Sequence, residues 1–212
     1  MSAKVASQQR PPSRGLRRQY ARAGIVLRQL QVRRDRARLL RSMPRQAACA
    51  EVGVWKGDGA AAILRHTSPR KLTLVDPWEH LPQEGSARAG RAPQQALDDI
   101  HASVASRFAE EIEAGQVELI RARSEQAWER FGEGELDWVW LDGDHSYEAV
   151  KHDLEALRRI VRPGGFIIGD DYTYGWWGDG VIRAVDEFAA AVPASLEITG
   201  EIFFKITLPQ RT

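Results

Sequence analysis

The 212-residue sequence predicts a doubly wound α/β domain carrying a basic N-terminal helix, its sheet mostly parallel with an antiparallel terminal strand. Three observations lead there. Short apolar runs alternate with helical patterns from Ala47 onward. The first run opens into a glycine-rich turn, Gly53-Val54-Trp55-Lys56-Gly57-Asp58-Gly59. Two later runs, Trp138–Leu141 and Phe166–Ile168, each end in acidic residues and are separated by a helical pattern broken by Pro163-Gly164-Gly165. A strand–helix–strand crossover is parallel, so both acidic ends fall on one sheet edge, the edge where open α/β sheets hold ligands.

Composition is that of an ordinary globular chain, 43% apolar and 28% charged. One cysteine, Cys49, excludes an intramolecular disulfide and a thiolate metal cluster within the chain. No apolar run approaches the roughly 18 residues of a membrane span. The basic N-terminus lacks the apolar core of a secretory signal, so a cytoplasmic protein without a transmembrane segment is expected. The net charge of +1 hides an asymmetry. Residues 1–45 hold thirteen Lys and Arg against Asp35 alone, a net +12; the remainder holds seventeen basic against twenty-eight acidic residues, a net −11. Two segments follow: a basic arm, residues 1–45, and the α/β domain, residues 46–212. Such an arm can bind polyanions or anionic lipid, dock on its own acidic body, or meet a partner copy.

The elements follow in order. Residues 1–13 are polar, hold Pro11-Pro12, show no periodicity and are expected to be disordered. Leu16, Tyr20, Ala23, Leu27 and Leu30 recur at spacings of three and four, which predicts a helix from Arg14 to Met43, stopped by Pro44. Ala47–Val54 reads as a strand. Its glycine turn has neither the G-x-G-x-x-G of dinucleotide enzymes nor a P-loop lysine, and an alanine-rich helix runs on to about His66. Lys71–Val75 is a strand ending in Asp76, placed to accept hydrogen bonds from a ribose diol. Residues 79–93 form a loop, and Gln94–Glu113 one helix, ended by Gly115. Val117–Ala122 is a strand, and Ser124 is placed to N-cap a helix to Phe131, or to meet an adenine. After Asp171, the aromatics Tyr172, Tyr174, Trp176 and Trp177 suggest a wall for an organic substrate, or a packed loop. Val181–Ala191 is a helix. Leu196–Thr199 and Glu201–Thr207 form a closing antiparallel pair.

Asp142, Asp170 and Asp171 read as hard oxygen ligands. Crowded carboxylates raise each other's pKa unless a cation neutralises them, and Mg²⁺ takes few protein carboxylates. No second histidine or cysteine group supports a zinc site. Asp144 or His145 is positioned to take a proton from a held hydroxyl. The competing reading makes such acids helix caps, with Asp144 just ahead of Ser146, Tyr147 and Glu148.

At these residues the chain resembles the class I S-adenosylmethionine-dependent methyltransferases with their Rossmann-like sheet. More narrowly, it resembles the macrocin and sugar O-methyltransferase family, related in fold and metal site to the catechol O-methyltransferases. The segments EVGVWKGDG, VDPWEHLP, LDGDHSYEAVKHDLEALRRIVRPGGFIIGDDY and AVDEF carry the likeness, over about Ala48–Phe188. The resemblance implies that Glu51, Gly53 and Gly57 line the methionine and ribose portion of S-adenosylmethionine. Asp76 would bind the ribose hydroxyls and Ser124 the adenine. Asp142, beside the cofactor, would hold a divalent metal, Mg²⁺ by preference, together with Asp170 and Asp171. Asp144 matches a general base in one branch. His145 stands where another branch uses histidine, and its ordinary pKa suits transfer near neutrality. Two positions depart from the family: Pro77-Trp78 after the ribose acid, and Gly59 where Ser or Thr is usual.

The expected function is therefore metal-dependent transfer of a methyl group from S-adenosylmethionine to a hydroxyl of a small-molecule, sugar, glycan or phenolic acceptor. A homo-oligomer through the N-terminal helix is an option; a nucleic-acid partner is not expected. The alternatives are a nicotinamide-dependent oxidoreductase on a similar sheet and a non-catalytic module binding polyanions or membrane through the basic arm.

Overall fold

The computed structural model describes residues 14–80, 92–175, 178–200 and 202–210, with side chains from residue 26 onward. The predictions for residues 1–13, for most of the 79–93 loop, for the side chains of Leu16, Tyr20 and Ala23, and for Trp176 and Trp177 lie outside the described residues. Residues 1–34 and 35–212 form separate compact units, and the boundary falls inside the first helix.

The elements run α1 (Arg14–Arg41), β1 (Ala48–Val52), α2 (Asp58–Thr67), β2 (Lys71–Val75), α3 (Gln94–Arg107), α4 (Ala109–Glu113), β3 (Val117–Ile120), α5 (Ser124–Trp128), β4 (Leu136–Leu141), α6 (Tyr147–Ile160), β5 (Val161–Gly169), α7 (Gly180–Ala191), β6 (Ser195–Thr199) and β7 (Phe203–Thr207). The sheet order is β3-β2-β1-β4-β5-β7-β6. Strands β3 to β5 are parallel, and β7 runs antiparallel to both β5 and β6. The order reverses at β1, which has β2 on one side and β4 on the other. That is the switch point at which such sheets open a crevice beyond their strand ends.

Side chains alternate across the sheet. One face buries Ala50, Val52, Val139, Leu141 and Ile167 against Val150, Leu154 and Leu157 of α6 and Val181, Val185 and Phe188 of α7. Truncating a fully buried member such as Leu154 to alanine costs about 2–5 kcal/mol. Leu72, Leu74, Trp138 and Trp140 are buried but belong to the opposite face. Helix α6 shows why the sequence was legible here. Its buried positions Val150, Leu154, Leu157 and Ile160 fall at helical spacing, and Ser146 caps it by accepting from the Ala149 N–H.

Three expectations need correction. The segment 94–113 is two helices, broken at Phe108 (φ −112°, ψ 24°). The break turns the Phe108 ring inward onto Gly57, where a Cβ would lie 2.8 Å from it. Ser124 is the first residue of α5 rather than its cap; Arg123 holds the cap position with no side-chain bond, and the helix ends at Trp128. Pro163-Gly164-Gly165 does not stand outside the following strand. Strand β5 already begins at Val161, and an irregularity between Leu136 and Trp138 of β4 absorbs the turn residues.

Candidate active site

Strand β1 and its glycine turn build one half of the site. Gly53 has φ +86°, and a Cβ there would overlap the Asp142 carbonyl, so only glycine lets β1 leave the sheet this close to the end of β4. The Asp142 N–H donates to the Val52 carbonyl at 2.9 Å. Gly57 (φ +77°) stands at the N-cap of α2 without a side-chain cap, leaving the leading amides of the helix for a ligand. Glu51 is 2% exposed and its Oε2 has no hydrogen-bond partner. Burial, then the Asp142 carboxylate, push its pKa well above the usual range, with Arg36 opposing. An orphaned carboxylate oxygen in a glycine-lined cradle is a fitting partner for a polar cofactor.

Asp76 does more than the sequence suggested. Its Oδ2 accepts the Trp55 N–H at 2.9 Å and its Oδ1 the Trp78 N–H at 2.8 Å, with the Val54 N–H also contributing. A carboxylate offers about four acceptor sites, so about one remains for a ribose hydroxyl rather than the two expected. Burial raises its pKa and these N–H groups oppose the rise. Both tryptophans hold positive φ, Trp55 at 49° and Trp78 at 40°, a conformation bulky residues adopt only when their surroundings impose it. The Trp78 indole N–H donates to the Trp55 carbonyl at 2.9 Å. The Pro77-Trp78 pair thus closes the glycine turn from the β2 side.

The other half lies beyond β4 and β5. Asp142, His145, Asp170 and Asp171 each turn a ligand atom inward, and these atoms all lie within 4.8 Å of one another. His145 Nε2 is 3.2 Å from Asp171 Oδ2 and 3.5 Å from Asp142 Oδ1. Asp171 holds φ +58°, the strained conformation that lets two consecutive aspartates face one point. Asp170 is 8% exposed, and its Oδ1 is buried without a partner. Burial, then Asp142, push its pKa well above the carboxylate range. Three carboxylates, one of them with an orphaned oxygen, suit a hard divalent cation, and the His145 imidazole stands beside them.

Some predicted residues have their bonds outside the cation cluster. Asp144 is exposed and its Oδ1 accepts the Ser146 N–H at 2.7 Å, so it serves the start of α6. The Ser124 hydroxyl bonds Asp153, whose Oδ1 also accepts the Trp128 indole N–H at 2.8 Å. Of the predicted aromatic wall, the Tyr172 hydroxyl turns to Asp186 of α7 (2.7 Å) and Tyr174 is exposed. Sequence reading missed Arg36, whose Nη2 donates to Asp170 Oδ2 at 2.6 Å. It is one of twelve arginines in the arm, and nothing in its spacing marks it.

Comparison with known proteins now gives this geometry a class. Residues 50–172 match a family described as methyltransferase domain, and the chain belongs to that family. Its fold and residue pattern are those of a class I S-adenosylmethionine-dependent methyltransferase, which sets the nicotinamide alternative aside. The chain is 28% identical over 172 residues to 8-demethyl-8-(2,3-dimethoxy-alpha-L-rhamnosyl)-tetracenomycin-C 4'-O-methyltransferase of Streptomyces olivaceus, covering 74% of this chain and 65% of that one. It is 36% identical over 59 residues to protein R132 of Acanthamoeba polyphaga mimivirus, 28% of this chain and 27% of that protein. The chain thus spans less than two thirds of either relative. Among solved structures, the O-methyltransferase NovP shares the fold at a TM-score of 0.60 and 20% identity, over 83% of this chain and 80% of NovP.

Proposed function

We propose that the protein is a metal-dependent O-methyltransferase that carries a methyl group from S-adenosylmethionine to a hydroxyl of a sugar, a glycan or a small phenolic acceptor. The observation that carries the reading is the Asp142–His145–Asp170–Asp171 cluster set directly against the Gly53 turn, a cation seat beside a cofactor cradle. Glu51, Gly53 and Gly57 receive the methionine and ribose portion, Asp76 one ribose hydroxyl, and Ser124 the adenine. Asp142, Asp170 and Asp171 hold the cation, Mg²⁺ by its preference for a few monodentate carboxylates. Bound there, a cation would make an acceptor hydroxyl more acidic and help to hold it for methyl transfer. His145, inside the cluster, takes the hydroxyl proton; Asp144, engaged at the start of α6, is the less favourably placed base. The S. olivaceus relative, named for a 4'-O-methylation of a rhamnosyl compound, supports a sugar hydroxyl as the first acceptor to test.

The test is methyl transfer from labelled S-adenosylmethionine to free sugars, nucleotide sugars and catechols, with EDTA and with Mg²⁺ restored. Activity lost in EDTA and regained with Mg²⁺ is the expected result. Full activity in the Asp142→Ala, Asp170→Ala double variant would remove the metal from the reaction.

Among the described residues, no helix is long and apolar enough to cross a membrane, and the single cysteine is buried; both are compatible with a cytoplasmic enzyme. Val26, Leu27 and Leu30 of α1 are exposed among arginines, which supports the basic arm, residues 1–45, as a self-association surface. Light scattering of the full chain against a Leu27→Glu, Leu30→Glu variant decides that point.

A further inference from the structure

Arg36 enters the acidic cluster from α1, outside the segment that matches the methyltransferase family. Its guanidinium carbon lies 5.2 Å from the Trp140 ring centroid and 5.8 Å from that of Phe203. Planar guanidinium stacks well on aromatic faces and keeps its charge when desolvated. The neighbouring backbone is fixed as well. The Asp35 carboxylate packs so closely on Gly200 that a Cβ there would meet it, and Leu39 and Leu40 are buried one turn further on. Arg36 is therefore a built part of the site and not a surface charge that happens to reach it.

We propose that Arg36 is a positioning residue that decides which divalent cation the cluster accepts. The inference rests on the cation reading above and adds to it a selectivity. Arg36 takes Asp170 Oδ2, and the orphaned Oδ1 is the oxygen left for a ligand. Asp170 is thereby held to one-oxygen coordination. Small octahedral cations such as Mg²⁺ and Mn²⁺ accept that, whereas Ca²⁺ builds a shell of about six to eight oxygens and commonly draws both from a carboxylate. The charge balance points the same way. Three carboxylates and one guanidinium sum to −2, the complement of one divalent cation; without Arg36 the sum is −3. A fixed positive charge at this range repels every cation, so Arg36 also keeps binding weak and exchangeable.

Direct binding tests this without turnover. Full-length protein is titrated with Mn²⁺, free Mn²⁺ is read by electron paramagnetic resonance, and Ca²⁺ is then added as competitor. Wild-type protein is expected to prefer Mn²⁺. Arg36→Met is expected to bind both ions more tightly, Ca²⁺ gaining more, so that the Mn²⁺/Ca²⁺ preference falls about tenfold. Arg36→Lys keeps a positive charge beside Asp170 but loses the planar stack, and is expected to fall between wild type and Arg36→Met. A residue that only holds the fold together would weaken binding of both ions when removed, the opposite sign. Thermal melts check that each variant is folded, and Arg36→Gln replaces the Met variant if that one is not. Weaker binding in the neutral variant, an unchanged preference, or a lysine variant as altered as the neutral one overturns the proposal and leaves the cation reading standing. Absence of Mn²⁺ binding in wild type and variants alike overturns both.

Discussion

The Glu51 carboxylate occupies the space in which a side chain at position 59 would stand. A Cβ built on Gly59 would overlap Oε1 of Glu51. Gly59 is thus matched to a buried acid on β1, the strand that leads into its helix. Gly59→Ser is expected to push Glu51 out of the cradle. Affinity for S-adenosylmethionine, measured by calorimetry, should fall about tenfold or more, while overpacking costs about 1–3 kcal/mol of stability. Adding Glu51→Asp, which shortens the acid by one methylene, should recover much of the stability. Unchanged cofactor affinity in Gly59→Ser would separate Glu51 from binding.

Asp76 ties two strained tryptophans to one carboxylate. Asp76→Asn turns one acceptor oxygen into a donor that faces a backbone N–H. Leaving such a group unsatisfied costs about 1–3 kcal/mol. Because Trp55 belongs to the glycine turn, cofactor binding should weaken together with stability. Near-ultraviolet circular dichroism, sensitive to both indoles, should change as well. A variant with native dichroism and native cofactor affinity would show that Asp76 organises neither.

Much of this architecture was legible because the chain states it locally. Strand β2 falls on Lys71–Val75 as read from its apolar run, and α1 and α7 end within two residues of their predicted limits. The acidic ends of β4 and β5 converge because a parallel crossover leaves no other arrangement. What stayed hidden depends on distant partners. Nothing near Phe108 announces a helix break; its ring packs on Gly57, some fifty residues earlier. Ser124 looks like a cap until Asp153 of α6 is placed beside it. Arg36 acquires meaning only from Asp170, 134 residues away. Spacing reveals periodic faces, whereas single long-range polar contacts leave no local trace.

The two parts of α1 should behave differently on truncation. Leu39, Leu40 and Met43 are buried, and they fall with Arg36 in the unit formed by residues 35–212. Deleting residues 1–34 is expected to leave the melting temperature of the rest nearly unchanged. Deleting residues 1–43 removes three core side chains, at about 2–5 kcal/mol each. It should produce a poorly folded domain with exposed apolar surface, read by melting and by dye binding. Equal loss from both deletions would place the working boundary elsewhere.

Asp153 gives a pH-dependent test away from the cation cluster. Its carboxyl is 2% exposed and its pKa is pushed up to about 6, by burial first, against the opposing bonds from Ser124 and Trp128. Folding therefore favours the protonated acid. The stability tied to this group is fully present below the unfolded pKa near 4. It is lost as pH rises to about 6 and stays lost above that. The shift corresponds to about 3 kcal/mol at most. Asp153→Asn keeps an acceptor for the Trp128 indole and cannot ionise. It should match wild type near pH 4 and exceed it by up to about 3 kcal/mol at pH 7, measured by urea unfolding at each pH. A constant difference between the two proteins from pH 4 to pH 7 would mean that Asp153 does not change its ionisation on folding.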